Sequence, residues 1–172
     1  NVYLHGYISA SAANAGTLHV RTINSSTPLG VITQSEMSGL KMTVNYYRNG
    51  TRNNEPNYKQ GEDIVAEITI QNTGNIGLYE ELALTFMFPS GFEFLNERLT
   101  TGPFQGTDNV DIRDDRAYLY FSLTQGQSKT FKLRFNAAYS GTYLLPAITC
   151  SAMYDNSITA TLPGNTITIN RE

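Results

Sequence analysis

The sequence predicts an all-β protein, an antiparallel immunoglobulin- or fibronectin-like β-sandwich. Apolar residues recur at every second position in many short segments, Gly, Asn and Pro separate most of these segments, and no convincing amphipathic helix occurs. Eleven Tyr and eight Phe also favour strands over helices. The chain has one Cys and no Trp, so the Cys–Trp–Cys arrangement of an antibody-type domain is excluded.

Composition restricts the possible functions. A chain of 172 residues suits one large domain, or one domain with an appendage. With 40% hydrophobic residues it is not a disordered tail, and no apolar run approaches the roughly 20 residues of a membrane span. The net charge of −3 and the scattered basic residues argue against nucleic acid as a partner. Because the chain begins without Met or a signal peptide, we expect a mature product or a piece of a longer protein.

The first unit is expected at residues 1–37. Leu18 and Val20 alternate with polar residues, and residues 29–33 form a second apolar segment after an Asn-, Ser- and Pro-rich turn. This pattern predicts an N-terminal β-hairpin. The stretch Ser35–Gly39 is predicted to be a linker to a second unit, the sandwich domain at residues 38–172.

The strands of this second unit follow the alternation. In residues 40–46 the apolar side chains share one face, and a polar loop at 48–62 precedes an equally regular pattern at 64–70. Residues 92–95 are expected to lie over the core. Pro146 interrupts the segment 143–152, which suggests an edge or a bulge there. Further strands are predicted at residues 82–88, 117–121, 130–135 and 165–170.

No catalytic constellation is evident. His5 and His19 lie in the first unit without Cys, Asp or His at metal-ligand spacing, and a G-x-S-x-G motif is absent. Cys150 lies in an apolar strand and is expected to be a buried, inert thiol. Met153 stands where a Gln would be needed for an internal Cys-to-Gln thioester, so this chain cannot form one. We therefore expect a protein that is not an enzyme and needs no cofactor.

Two surface features leave alternatives open. Asp111, Asp114 and Asp115 could bind calcium, although the neighbouring Arg113 and Arg116 favour salt bridges and turn hydrogen bonds instead. Five tyrosines could form a sugar-stacking or partner-binding stripe, although cross-strand packing is the more common reason for tyrosine in sheets. These are Tyr46, Tyr47, Tyr118, Tyr120 and Tyr143.

Several segments, in order and spacing, resemble the C-terminal end of bacterial alpha-2-macroglobulins. The resemblance covers roughly residues 38–172, and its most specific parts are the Asp-Asp-Arg and Met-Tyr-Asp segments. Two departures are Ser90, where the family has Ala, and Asn156, where it has Pro. The segments are Gly39-Leu40, Tyr46-Tyr47, Gly61–Val65, Asn72-Thr73, Phe88–Glu93, Arg113–Arg116, Ser140–Ala147 and Ala152–Asp155.

The resemblance implies a macroglobulin-like domain of an exported protease-trapping protein of the cell envelope, in the periplasm or at the cell surface. In that family the last domain packs against a thioester domain, and a Met-Tyr pair shields the thioester. That role would fall on Met153 and Tyr154. The implied partners are the neighbouring domains and, through the parent protein, the target proteases. Residues 1–37 would be the returning strands of a split preceding domain.

Two other functions stay open beside this expectation. A stand-alone surface adhesin or carbohydrate-binding module would suit the Tyr and Asn content. An enzymatic function would be supported only by the Asp cluster and the two isolated His. No bait region, thioester motif or thioester domain lies in this chain, so the sequence leaves open whether its parent carries a thioester.

Overall fold

The computed structural model describes residues 34–75, 77–95 and 106–171, together with the single residues 17, 32 and 104. These ranges contain fourteen strands, and none of their residues is helical; accordingly no helix there is suited to crossing a membrane. The strands are β1 Glu36–Ser38, β2 Leu40–Arg48, β3 Thr51–Arg52, β4 Asn57–Lys59, β5 Asp63–Asn72, β6 Leu78–Met87, β7 Phe92–Phe94, β8 Asn109–Ile112, β9 Arg116–Thr124, β10 Ser128–Ala137, β11 Gly141–Leu145, β12 Ile148–Ala152, β13 Thr159–Leu162 and β14 Asn165–Asn170.

The strands form three sheets. A six-stranded sheet has the order β1-β13-β12-β6-β9-β8, and a five-stranded sheet has the order β3-β2-β5-β10-β7. A small third sheet, β11-β14-β4, contains the one parallel pair of strands in the described ranges, β14 with β4. The other strand pairs are antiparallel, so the predicted antiparallel sandwich is confirmed.

Alternation of side chains decides which face of each strand is buried. In β5 the apolar residues from Ile64 to Ile70 are fully buried while the residues between them are not. The same holds for β9 and β10, where every second residue has an exposed fraction near zero. Because successive side chains of a strand point to opposite faces, each strand contributes one row to the core. The predicted inward-facing residues of these strands are confirmed.

Phenylalanine rings join the two large sheets. Phe86 of the six-stranded sheet stacks on Phe135 of the five-stranded sheet, with ring centroids 5.6 Å apart. Further along the same interface the rings of Phe121 and Phe131 lie 4.9 Å apart. Phe135 also contacts the rings of Phe88, Phe92 and Phe94 at centroid distances of 5.3, 5.9 and 5.6 Å. These offset and edge-on contacts add to the hydrophobic gain from burying the rings.

The turn after β5 is held by Asn72, a fully buried polar residue. Its side-chain amide donates hydrogen bonds to the carbonyls of Gly77 and Leu123, and its Oδ1 accepts one from the Gly74 amide. A buried amide with all these partners costs little to bury. Gly74 is required because a Cβ at this position would lie 1.6 Å from the Tyr79 hydroxyl oxygen.

Some local predictions were wrong. The expected linker Ser35–Gly39 contains β1, which pairs with β13, and the expected polar loop 48–62 contains β3 and β4. The segment 143–152 is two strands in two sheets, because Pro146 ends the pairing of β11 before β12 begins. Pairing from distant strands stabilises these short elements, and local sequence does not encode it. The N-terminal hairpin lies almost entirely outside the described residues.

Replacing Phe135 with Ala tests the aromatic junction. We expect a loss of about 3–5 kcal/mol in the free energy of unfolding, because the substitution removes a fully buried ring and leaves a cavity. Urea unfolding followed by tyrosine fluorescence measures this. Leu144→Ala, at a half-exposed side chain, is the control and should change stability by less than about 0.5 kcal/mol. Equal losses in the two variants would contradict the role given to Phe135.

Candidate functional site

The turn between β12 and β13 presents two large side chains to solvent. The exposed fraction is 50% for Met153 and 86% for Tyr154. Ala152 and Ile158, which flank the turn, are buried. The turn is therefore anchored in the core at both ends while its tip projects from the protein.

Asp155 closes this turn. Its Oδ1 accepts hydrogen bonds from the backbone amide of Ser157 at 2.9 Å and from the Ser157 hydroxyl at 2.6 Å. The Asp155 carbonyl accepts a third hydrogen bond, from the amide of Ile158. This is an Asx turn, in which a short acidic side chain replaces a backbone partner. The Ser157 hydrogen bonds lower the pKa of the Asp155 carboxyl below its ordinary value.

The opposite side of the turn is held by the sheet. The Ala152 amide donates to the carbonyl of Ile158 at 3.1 Å, and the Met153 amide donates to the carbonyl of Glu81 at 3.0 Å. Glu81 belongs to β6, the neighbour of β12. Met153 is therefore fixed by a bond to another strand, and Tyr154 extends from a braced position.

Glu81 is a residue that the sequence reasoning missed. Its backbone has φ of 52°, and the β6–β9 register shifts between Tyr79 and Leu82. A register shift of this kind marks a β-bulge. The available signal was the break in alternation at Glu80-Glu81, which separates Tyr79 from the regular pattern that starts at Leu82.

Cys150 lies on β12 but does not belong to this turn. It pairs with Leu84 and Ala160, and its side chain is fully buried. Burial raises the pKa of its thiol to about 12, because the thiolate would lose its hydration. The predicted buried thiol is confirmed.

The acidic cluster forms ion pairs. Arg113 lies 3.0 Å from Asp111, and Arg116 lies 2.5 Å from Asp115. Hydrogen bonds from Arg116 lower the pKa of Asp115. The predicted salt bridges are confirmed. Within the ranges that the structure describes, no group of three or more His, Cys, Asp or Glu side chains is placed to hold a metal. His5 and His19 lie outside these ranges.

The hypothesis of a single tyrosine stripe is wrong. Tyr46 is buried, so it does not face solvent as the hypothesis requires. Tyr47 is on the five-stranded sheet, Tyr118 and Tyr120 are on the six-stranded sheet, and Tyr143 is on the small sheet. Tyr118 and Tyr120 share one face of β9, but the other tyrosines belong to different sheets, so the five do not form one stripe.

A groove of about 570 Å³ lies beside the buried Tyr46. Val44, Leu145 and Leu162 contribute to its largely apolar lining. The Tyr46 hydroxyl is buried and has no hydrogen-bond partner among the described residues, and burial raises its pKa. Asn165 also lines the groove, but its described lining contains no charged side chain that would define a ligand class, so Met153 and Tyr154 remain the better candidate site.

Asp155→Ala tests whether the turn depends on its carboxylate. Because the folded-state pKa is lowered, the carboxylate stabilises the fold above its ordinary pKa of 3.8 and loses this effect as the pH falls below that value. We expect a melting temperature a few degrees lower than that of the unmodified chain at about pH 7, with a smaller difference near pH 2. Asp155→Asn keeps the acceptor oxygen and should lose less. A difference that stays constant with pH would contradict this.

The reactivity of Cys150 gives a second test. This is the single cysteine of the chain, so thiol labelling reports on it alone. At neutral pH we expect labelling by iodoacetamide to be slow in the folded chain and fast in denaturant, because the native thiol is buried and protonated. Mass spectrometry measures both rates. Rapid, complete labelling of the native chain would show that the site is open.

Comparison with known proteins places this geometry in a family. The model of the bacterial alpha-2-macroglobulin MG10 domain matches residues 39–156, which is more than half of the chain. An alpha-2-macroglobulin from Rickettsia conorii is 28% identical over 127 residues. That match covers 69% of this chain and 7% of the relative, so the chain spans a small part of the relative's length.

Solved structures show the same fold. Salmonella alpha-2-macroglobulin reacted with methylamine aligns with 83% of this chain at a TM-score of 0.71 and 20% identity, over 10% of its own length. Trypsin-activated alpha-2-macroglobulin from Escherichia coli aligns with 79% of this chain at a TM-score of 0.69 and 16% identity, over 11% of its own length. The fold of these structures agrees with the family match. Because the family model matches more than half of the chain, this chain belongs to the bacterial alpha-2-macroglobulin MG10 domain family.

Proposed function

We propose that this chain is the non-catalytic C-terminal macroglobulin-like domain of a longer bacterial protease-trapping protein. In this proposal residues 38–172 pack against a thioester-bearing domain, and Met153 and Tyr154 cover the thioester. Residues 1–37 are the returning part of a split preceding domain. The parent protein is exported, to the periplasm or the cell surface.

The observation that carries the proposal is the exposure of Met153 and Tyr154 on a braced turn. The free energy falls when a partner covers two neighbouring large side chains that were exposed to water. Tyrosine brings a wide ring with few rotatable bonds, and methionine adapts to an irregular surface. A turn fixed by Asp155 and Glu81 loses little further freedom when it docks.

The sheet face beside the turn also suits packing against a protein domain. Where β6, β12 and β13 pair, their outward residues are small and uncharged, and the exposed Glu80 and Glu81 lie at the margin of this area. The outer face of the five-stranded sheet carries charged side chains such as Lys132, which lies 3.1 Å from Glu67. Interface cores are depleted of charge. The small residues are Ala83, Thr85, Thr149, Ser151, Thr159 and Thr161.

The relatives support the trapping chemistry. The Salmonella protein reacts with methylamine, and the Escherichia coli protein is activated by trypsin. An amine attacks the carbonyl carbon of a thioester, the carbon–sulfur bond breaks, and the thiol is released as the amide forms. Water attacks the same carbon and destroys the trap. A side chain laid over the carbonyl slows both reactions because it keeps the nucleophile out.

In this function the chain supplies the shielding side chains, and the thioester belongs to another domain. Cys150 is buried in the core, and Met153 stands where an internal thioester would need Gln. The partners are the neighbouring domains and, through them, the attacking proteases. The alternative of a carbohydrate-binding module loses its support, because the tyrosines do not form a common surface.

The test is the double variant Met153→Ala/Tyr154→Ala in the thioester-bearing parent protein. We expect methylamine incorporation to become roughly ten-fold faster, which corresponds to about 1.4 kcal/mol of lost protection. Radiolabelled methylamine and thiol release give the rate. Tyr139→Ala and Leu144→Ala, which truncate other exposed side chains, are the controls. An unchanged rate in a folded double variant would remove the shielding role.

A further inference from the structure

Glu81 has a backbone conformation that its residue type does not explain. Only two non-glycine residues of the described ranges have a positive φ, Asn49 at 47° and Glu81 at 52°. Asn49 lies in the turn between β2 and β3, where an asparagine readily adopts the left-handed conformation. Glutamate has no such preference, and Glu81 lies inside a strand. Strain of this kind persists where the surrounding structure requires it.

The hydrogen bonding between β6 and β12 continues one residue beyond the end of β12, to Glu81. The last aligned pair of these strands is Ala152 with Leu82. Past that pair, the Glu81 carbonyl accepts the hydrogen bond of the Met153 amide at 3.0 Å. A bulge re-aims the backbone of the strand that contains it. The left-handed residue therefore provides the acceptor that fixes the first residue of the exposed turn.

We infer that Glu81 is a positioning residue for Met153 and Tyr154 and acts through its main-chain carbonyl. The positioning itself is a contact between residues of this chain. Its purpose, the placing of Met153 and Tyr154 over a thioester, rests on the proposed function. The side chain of Glu81 is exposed, and the hydrogen bonds of the turn among the described residues come from backbone groups and from Asp155 and Ser157, without the Glu81 carboxylate. The conformation of residue 81 matters, and the charge does not.

The variant that tests this is Glu81→Val. Valine is branched at Cβ and strongly disfavours a positive φ, so the bulge should rearrange and the Met153 amide should lose its acceptor. We expect exchange of the Met153 amide hydrogen, measured by NMR relative to the core amide of Leu119, to become at least roughly ten-fold faster. Glu81→Gly adopts the same φ without strain and should retain the protection of the unmodified chain.

Asn49→Val is the matched control. It places the same unfavourable residue at the other left-handed position, in a turn of the five-stranded sheet. It should lower overall stability without changing the exchange of Met153 relative to Leu119. If Glu81→Val does not fold, Glu81→Ala imposes a smaller penalty and is measured in the same way. An unchanged Met153-to-Leu119 ratio in the folded Glu81 variant would overturn the inference.

Methylamine incorporation in the parent protein separates this inference from the proposed function. Faster incorporation in Glu81→Val, but not in Glu81→Gly or Asn49→Val, supports both. Faster amide exchange at Met153 with an unchanged methylamine rate supports the positioning by Glu81 and contradicts the shielding role. Unchanged amide exchange contradicts the positioning, whatever the methylamine rate is.

Discussion

The contact between Phe86 and Phe135 fixes how the two large sheets lie against each other. Phe86 belongs to β6 and Phe135 to β10, and their rings stack at 5.6 Å in the middle of the buried layer. Because side chains alternate along a regular strand, one fixed inward residue determines the facing of its neighbours as far as the next bulge, which on β6 means from Leu82 onward. The position of β6 in turn determines β12, which pairs with it from Thr149 to Ala152.

The exposed turn inherits its geometry from this core. On β6, Leu82, Leu84 and Phe86 are all buried, so the strand cannot slide without exposing an entire row. Regular pairing along β6 stops at Leu82, where the bulge begins, and the bulge carries the carbonyl that holds Met153. Asp155 then closes the turn through Ser157. Tyr154 projects into solvent from a backbone that is fixed on both sides, which is the condition for a preorganised contact.

Local sequence was enough to predict the long strands but not the short ones. Alternation predicts the long strands β2, β5, β9 and β10, and in the last three burial follows it closely. Strands such as β1 and β4 exist because a distant strand supplies their hydrogen bonds, and a three-residue segment carries too little pattern to reveal this. The family resemblance, and not the strand pattern, identified Met153 and Tyr154 as candidate site residues. The inference about Glu81 depends on its φ angle and on a backbone hydrogen bond to Met153, 72 positions later (153 − 81). Neither can be predicted from the residue type.

The end of β12 separates the thiol from the exposed turn, although they lie on the same stretch of chain. Cys150 faces the core between Leu84 and Ala160, and burial keeps its thiol protonated. Met153 and Tyr154 lie beyond the end of β12, in the turn, and both are exposed to solvent. A shift of the β12 register by one residue would expose the cysteine and bury a polar neighbour. The close packing of β12 against β6 makes such a shift unfavourable. The fold therefore keeps the reactive group of this chain out of reach while it presents Met153 and Tyr154, and any thioester that they cover has to come from another part of the protein.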